Sequence, residues 1–184
     1  YPSAARFLAN IVRDATYDTL AAPSLYPIKF IEVMGRDSGW LAASTALGFG
    51  ETERDLEPLM FFPEEPPESA EQALAEVVQR VEERGWCVAI VPETLRDAQG
   101  RHLSGAEPLY VDPHGHEYYP SPAETLTMLA VRETAYHRAR YERPGSAARM
   151  STLMASPVDR QEAYDLGWAA AARAAAGQSD IMVT

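Results

Sequence analysis

Residues 30–43 read FIEVMGRDSGWLAA, and this stretch decides the fold. An apolar run over residues 28–34 leads into Gly35 and Arg36, and a helix of small residues is predicted after Trp40. The pattern is that of a strand, a turn and a helix. Ligands of open α/β sheets bind at the carboxyl ends of strands, so Arg36 is the first candidate for a ligand-binding residue. The competing interpretation is a solvated loop charge.

The composition indicates a globular protein. The 184 residues are 46% hydrophobic, enough for a core of ordinary size and one domain. No apolar run approaches the roughly 20 residues of a membrane span, and the first residues lack the order of a signal peptide. The single cysteine, Cys87, excludes an intrachain disulfide. It favours a reducing, cytoplasmic location.

The charge balance argues against nucleic-acid binding. The 27 acidic residues outnumber the 16 lysines and arginines, and the formal net charge is −11. A phosphorylated ligand is therefore repelled at long range. An anion site in this chain requires a local concentration of arginine, histidine and backbone N–H groups.

Strand and helix patterns alternate along the chain. This alternation predicts a three-layer α/β fold with a mainly parallel sheet. The last predicted strand runs to the final residue, and no strand precedes the first helix, so we expect truncation at both ends. Helices are predicted over residues 3–22, 40–48, 69–84, 121–141 and 156–177, and strands over 28–34, 58–63, 86–91 and 181–184.

Two further residues are candidates for ligand binding. Glu93 follows the predicted strand 86–91, where a carboxylate can accept hydrogen bonds from sugar hydroxyls. It is alternatively a carboxylate favoured by a helix N-terminus. Arg149 follows Pro144 and Gly145, and its guanidinium can bind a phosphate through two parallel hydrogen bonds. It is alternatively an ordinary surface arginine.

A metal site is the alternative hypothesis for residues 112–116. Asp112, His114 and His116 all carry potential metal ligands. No cysteine lies nearby, and three loosely spaced side chains do not form the closed set of four ligands typical of structural zinc. A metal-dependent hydrolase is therefore a minor hypothesis.

Three segments resemble motifs of the 6-phosphofructokinases. Residues 32–43 (EVMGRDSGWLAA) resemble their sugar-phosphate-binding motif, especially that of the pyrophosphate-dependent branch. Residues 112–116 (DPHGH) are similar to the Asp-x-Phe-Gly-His segment of that branch, which weakens the metal hypothesis. Residues 144–149 (PGSAAR) resemble Pro-Gly-Tyr-x-Gln-Arg, with Ser146 and Ala148 replacing tyrosine and glutamine.

The resemblance implies a phosphoryl transfer from pyrophosphate, or alternatively ATP, to the 1-hydroxyl of fructose 6-phosphate in glycolysis. It implies Mg²⁺ with the phosphoryl donor, its ligands lying outside this chain, and a homo-oligomer, dimer or tetramer. Residues 1–184 then form the sugar-phosphate-binding lobe, with a helical insertion over about 108–142. Arg36 has a catalytic role through charge stabilisation. The implied substrate-binding residues are Met34, Gly35, Arg36, Glu93, Ser146 and Arg149.

The same resemblance also indicates what the chain lacks. The family's segment with the aspartate base and its Gly-Gly-Asp donor loop have no match in this sequence. We therefore expect this chain alone to be inactive. The alternative is a sugar-phosphate-binding module without catalysis. Ser146 stands in place of the motif's tyrosine and Ala148 in place of its glutamine, so an aromatic ring and a side-chain amide are absent.

Overall fold

A four-stranded parallel sheet forms the centre of the computed structural model, which describes residues 1–184. The strand order is β2-β3-β1-β6, and a separate hairpin pairs β4 with β5. The strands are β1 (Ile28–Val33), β2 (Leu59–Met60), β3 (Cys87–Pro92), β4 (Tyr110–Val111), β5 (Glu117–Tyr118) and β6 (Ala139–Glu142). The α-helices are α1 (Pro2–Ala21), α2 (Trp40–Ser44), α3 (Ala70–Arg84), α4 (Pro122–Glu133), α5 (Ala147–Met150) and α6 (Pro157–Ala175).

Strand β1 lies between β3 and β6, and all six of its residues are buried. Its register pairs Ile31 with Ile90 of β3 and with Glu142 of β6. A strand covered on both faces reads as a near-continuous apolar run, which is what residues 28–34 show. The carboxyl ends of three strands therefore meet at one edge of the sheet.

Helices cover both faces of the sheet. Phe30 packs on the α3 and α4 side with Val77 and Leu126. Ile31 points to the opposite face, where it packs with Leu8 of α1 and Leu41 of α2. The alternation of β1 residues between two cores confirms the predicted three-layer α/β fold with a mainly parallel sheet. No helix is both long and apolar enough to cross a membrane.

The predicted helix over residues 121–141 was wrong in its second half. Helix α4 ends at Glu133, Thr134 is extended, and residues 139–142 form β6. Ala139 and Tyr141 alternate with charged residues, but the strand has only four residues, mostly exposed, and this signal is weaker than the helical spacing of the apolar residues before it. Its pairing with β1, a long-range contact, decides its conformation. Only residues 122–133 of the predicted helical insertion (about 108–142) are in an α-helix.

Two predicted strands also differ from the structure. Residues 181–184 form no strand, because they follow α6 on the exposed surface without a partner. The predicted strand 58–63 is reduced to Leu59–Met60, which pairs with β3. The remaining helices and strands are confirmed within a few residues. Cys87 is a buried core residue, and burial raises the pKa of its thiol to about 12.

Asp159 ties the start of α6 to the start of α1. Its Oδ2 accepts a hydrogen bond from the Ser3 backbone N–H at 2.6 Å, and the Ser156 backbone N–H donates to Ser3 Oγ at 2.8 Å. Hydrogen bonds from the Ser3 hydroxyl and backbone lower the pKa of Asp159 to about 2. The ionised carboxylate therefore stabilises the folded state.

We predict that Asp159→Asn lowers the melting temperature at pH 7 by a few degrees. An aspartate in an unfolded chain has a pKa of about 3.9, so this stabilisation is complete above roughly pH 5. It is lost as the pH falls through 4 towards 2. Thermal denaturation followed by circular dichroism should show the wild-type advantage shrinking over that range. Asp165→Asn on the same helix is the control, and a difference independent of pH would contradict the role of Asp159.

Candidate functional site

A cleft of about 370 Å³ lies at the carboxyl edge of the sheet. Side chains from the ends of β1, β3 and β6 line it, together with the segment that joins β5 to α4. Most of the lining is polar or charged. The lining residues are Glu32, Arg36, Asp37, Glu93, Thr94, Arg96, His102, Glu117, Tyr118, Tyr119, Pro120, Ser121 and Arg143.

Arg36 and Glu93 face each other in this cleft. Arg36 Nε lies 3.8 Å from Glu93 Oε1, and their side chains are 61% and 37% exposed. The Thr94 hydroxyl donates a hydrogen bond to the Arg36 carbonyl at 2.6 Å, which fixes the backbone of the turn after β1. The two side chains are accessible and only loosely paired. Both can therefore turn to a ligand without breaking a strong contact.

Gly35 allows the turn between β1 and Arg36. Its φ is +127°, and a Cβ at this position would lie 2.6 Å from the Ser38 carbonyl oxygen. An L-residue with a side chain is strained in this conformation and would also collide with the backbone. Glycine at this position therefore sets where Arg36 leaves the strand.

Glu32 is a buried carboxylate at the base of the cleft. Its side chain is 7% exposed, and Arg143 Nε donates to its Oε1 at 3.0 Å. Its other oxygen accepts a hydrogen bond from the Ser121 hydroxyl. Ser121 is also the N-cap of α4, where its Oγ accepts from the Glu124 N–H at 3.1 Å. One carboxylate thus joins β1, the start of α4 and the end of β6.

His102 is stacked on Tyr119 at the side of the cleft. The ring centroids are 3.6 Å apart, with an interplanar angle of 20°. His102 is 9% exposed, and neither ring nitrogen has a hydrogen-bond partner. Burial, together with the charge of Arg96, lowers the pKa of His102. The imidazole is therefore neutral at pH 7.

The charges of the cleft nearly balance. Three arginines (Arg36, Arg96 and Arg143) line it together with four carboxylates (Glu32, Asp37, Glu93 and Glu117). Glu32 is bound to Arg143, and Glu117 accepts a hydrogen bond from the Tyr119 hydroxyl at 2.7 Å. An anion can bind here only where the arginines face it directly.

The structure brings together some of the residues predicted from the sequence and not others. Arg36 and Glu93 line the cleft, and Gly35 forms the turn beside them. Met34 is half-buried and packs against the core on the α1 side. Ser146 and Arg149 are exposed at α5 and do not line the cleft. Their predicted contact with a sugar phosphate stays a prediction.

The three residues of the hypothetical metal site, Asp112, His114 and His116, do not direct their side chains to one point. Asp112 Oδ1 accepts hydrogen bonds from the backbone N–H groups of His114 and His116, and Oδ2 lies 2.9 Å from His116 Nδ1. The two histidine rings are 6.3 Å apart. The structure contains no group of three or more His, Cys, Asp or Glu residues that could hold a metal. Asp112 instead stabilises the turn between β4 and β5.

Sequence reasoning missed the roles of four cleft residues: Glu32, His102, Ser121 and Arg143. A charged residue inside an otherwise buried strand was a usable signal for Glu32, because such a charge needs a partner. Arg143 precedes a proline, and residues before proline favour extended conformations, as at the end of a strand. No local signal pointed to His102.

Comparisons with known proteins find relatives over almost the whole chain. The chain is 33% identical over 183 residues to the pyrophosphate–fructose 6-phosphate 1-phosphotransferase of Xanthomonas campestris, covering 99% of this chain and 43% of that protein. The pyrophosphate-dependent phosphofructokinase of Nitrosospira multiformis superposes with a TM-score of 0.70 and 23% identity. The chain is homologous to part of the pyrophosphate-dependent phosphofructokinases. No protein-family model matches it.

The phosphofructokinase-like chain spans about two fifths of the length of these relatives. The Nitrosospira structure covers 97% of the chain, which covers 40% of that structure. The corresponding enzyme of Marinobacter aquaeolei superposes with a TM-score of 0.66 at 26% identity, again over 97% of the chain. The likeness therefore extends over both faces of the sheet and the cleft edge.

We predict that Ser121→Ala destabilises the phosphofructokinase-like chain more than the loss of a helix cap does. Ser69 is the matched control, because it caps α3 through Gln72 N–H at 3.2 Å and the carboxylate beside it, Glu71, is exposed rather than buried. Ser69→Ala should cost about 1 kcal/mol. Ser121→Ala should cost about 2–4 kcal/mol, since it also leaves a buried oxygen of Glu32 unpaired. Equal losses in urea denaturation would contradict the buried bond.

We also predict that His102→Phe flattens the pH dependence of stability between about pH 7.5 and 5.5. The folded-state pKa of His102 is lowered, so the unfolded chain binds the proton first and stability falls on acidification through about 6.5. Phenylalanine keeps the stack on Tyr119 without unpaired nitrogens. Melting temperatures of the wild type and the variant across this range measure the effect. A slope equal to that of the wild type in His102→Phe would refute the assignment.

Proposed function

We propose that this chain is the fructose 6-phosphate-binding part of a phosphotransferase that moves a phosphoryl group from pyrophosphate to the sugar's 1-hydroxyl in glycolysis. The observation that carries the proposal is the Arg36–Glu93 pair in the polar cleft, where Arg36 is the last residue of the EVMGR segment and Glu93 directly follows β3. The relatives named for this reaction match 99% of the chain. Because they are more than twice as long, the complete activity is part of the proposal.

Arg36 and Glu93 have complementary roles in the proposed complex. The Arg36 guanidinium contacts the bound fructose 6-phosphate and also stabilises negative charge on the transferring phosphoryl group, since charge-assisted hydrogen bonds are strong at short range. The Glu93 carboxylate accepts hydrogen bonds from sugar hydroxyls. Their present separation of 3.8 Å costs little to open. Catalysis of phosphoryl transfer depends mainly on such positioning and charge stabilisation.

The backbone of Met34 and Gly35 completes the sugar side of the proposed site. Gly35 has no side chain to prevent close approach of a ligand to the turn. Ser146 and Arg149 are proposed to reach the phosphate from α5, which begins five residues after β6 ends at the cleft edge. Arg149 has no ion-pair partner in the chain and is exposed, so its guanidinium is available to an anion.

Magnesium, cellular location and assembly are finer parts of the proposal. The chain holds no group of three or more His, Cys, Asp or Glu residues that could bind a metal ion, so we propose that Mg²⁺ is held with the phosphoryl donor by residues outside this chain. No step proposed here therefore depends on a metal held by this chain. We propose a cytoplasmic homo-oligomer, a dimer or tetramer, that uses pyrophosphate in preference to ATP. The name shared by the relatives supports the donor choice.

We predict that this chain binds fructose 6-phosphate saturably in calorimetric titration at low ionic strength, and fructose far more weakly. Arg36→Ala should weaken the binding about 10- to 150-fold, the range for losing one charge-assisted hydrogen bond. Glu93→Gln should weaken it less, because an amide still accepts one hydrogen bond. Arg132→Ala, an exposed arginine in the last turn of α4, is the control and should bind like the wild type.

The same titration separates the proposal from its alternatives. Equal affinity for fructose and fructose 6-phosphate would sink the sugar-phosphate assignment. If pyrophosphate binds and fructose 6-phosphate displaces it, both ligands share one anion site. That result would contradict a separate site for the phosphoryl donor. Binding of fructose 6-phosphate that is unaffected by Arg36→Ala would show that the cleft is not the site.

A further inference from the structure

Arg143 comes to the same edge of the sheet as Arg36. It directly follows β6, which runs parallel to β1 with Ile31 opposite Glu142. Both arginines therefore leave adjacent strands at their carboxyl ends. Both line the cleft of about 370 Å³. The resemblance to known motifs gave Arg143 no role, because the matched motif begins at the next residue, Pro144.

One side of the Arg143 guanidinium is fixed by the protein. Nε donates to Glu32 Oε1 at 3.0 Å, whereas the two terminal amino groups have no partner in the chain. The side chain is 53% exposed. A guanidinium held at Nε presents its terminal nitrogens as a preorganised pair of donors, the geometry that matches a phosphate.

The anchor of Arg143 is itself held on both sides. Glu32 is buried, and each of its oxygens has a separate partner, Ser121 on one side and Arg143 on the other. Ser121 is fixed in turn as the cap of α4. The carboxylate therefore cannot rotate away without leaving a buried oxygen unpaired, which is costly. Glu32 acts as a positioning residue for Arg143.

Local charges favour an anion on the cleft side of Arg143. The arginine also borders a second cavity, on the α1 side, whose charged lining includes Asp14, Asp18 and Glu142. Lys29, the other cation there, is bound to Asp18. The cleft, by contrast, offers two further arginines, Arg36 and Arg96. Of its four carboxylates, Glu32 is paired with Arg143, and Glu117 accepts a hydrogen bond from the Tyr119 hydroxyl. An anion at Arg143 is therefore better accommodated beside Arg36.

We infer that Arg143 is a second anion-binding residue of this cleft and contacts the phosphate of the bound sugar, positioned by Glu32 and Ser121. The inference rests on the proposed function, since it assigns a further residue to the same ligand. It also answers the requirement set by the net charge of −11. Two guanidinium groups at adjacent strand ends supply the local concentration of arginine that an anion site in an acidic chain requires.

The test compares fructose 6-phosphate with fructose in calorimetric titrations of four variants. Arg143→Ala alone leaves Glu32 buried without its cation, so the double variant Glu32→Gln/Arg143→Ala is included to preserve folding. Arg143→Lys keeps the charge and loses the planar pair of donors. Arg132→Ala is the control. Circular dichroism melting curves establish that each variant is folded before it is titrated.

We expect the double variant to bind fructose 6-phosphate at least tenfold more weakly than the wild type, with fructose binding unchanged. Arg143→Lys should bind fructose 6-phosphate with an affinity between those of the double variant and the wild type. In both variants inorganic phosphate should compete with fructose 6-phosphate less well than it does in the wild type. A role in folding alone would lower the melting temperature without changing the preference for the phosphorylated sugar.

Two results would overturn the inference, and they are distinguishable. If the wild type binds fructose 6-phosphate and the folded Arg143 variants bind it equally well, Arg143 is not a ligand-binding residue and the proposed function stands. If the folded wild type does not distinguish fructose 6-phosphate from fructose, the proposed function and the inference fail together.

Discussion

The burial of β1 between two parallel neighbours is the constraint on which the rest of the structure depends. Both faces of the strand are covered, so its side chains must alternate between the core under α3 and α4 and the core under α1 and α2. Burial ends at the turn, where Gly35 adopts a conformation that few other residues tolerate. Chain direction, core assignment and the position of Arg36 all follow from this one strand.

The buried carboxylate of Glu32 connects this strand to the chemistry of the cleft. A charge inside a central strand is tolerated only when hydrogen bonds or an ion pair compensate it. Here the compensation comes from two elements that are distant in sequence, at Ser121 and Arg143. The same contacts that permit the charge also fix where α4 begins and where the chain leaves β6. Glu32, Ser121 and Arg143 therefore contribute both to the stability of the fold and to the geometry of the cleft.

Much of the fold was predictable because its signals are local. The apolar run at 28–34, the Ser69 cap and the alternation of elements depend on neighbouring residues, and the predicted α/β sandwich was confirmed. Strand β6 was not predictable in this way, since its exposed residues become a strand only by pairing with β1. In the site, Arg36 and Glu93 followed strongly patterned strands. His102 and Tyr119 are stacked through loop geometry, which no short sequence pattern records.

Helix α6 differs from the other elements in how it is held. None of its 19 residues is buried, and only its first turn is bound to α1, through Asp159 and Ser156. Most of the stability of a helix in a protein comes from packing one face against the rest of the chain, and α6 buries no such face. The sheet and its two cores do not depend on the distal turns of α6. The chain therefore has two levels of cooperativity: the last turns of α6 can open and close, with rapid amide exchange, while β1 and its neighbours stay folded.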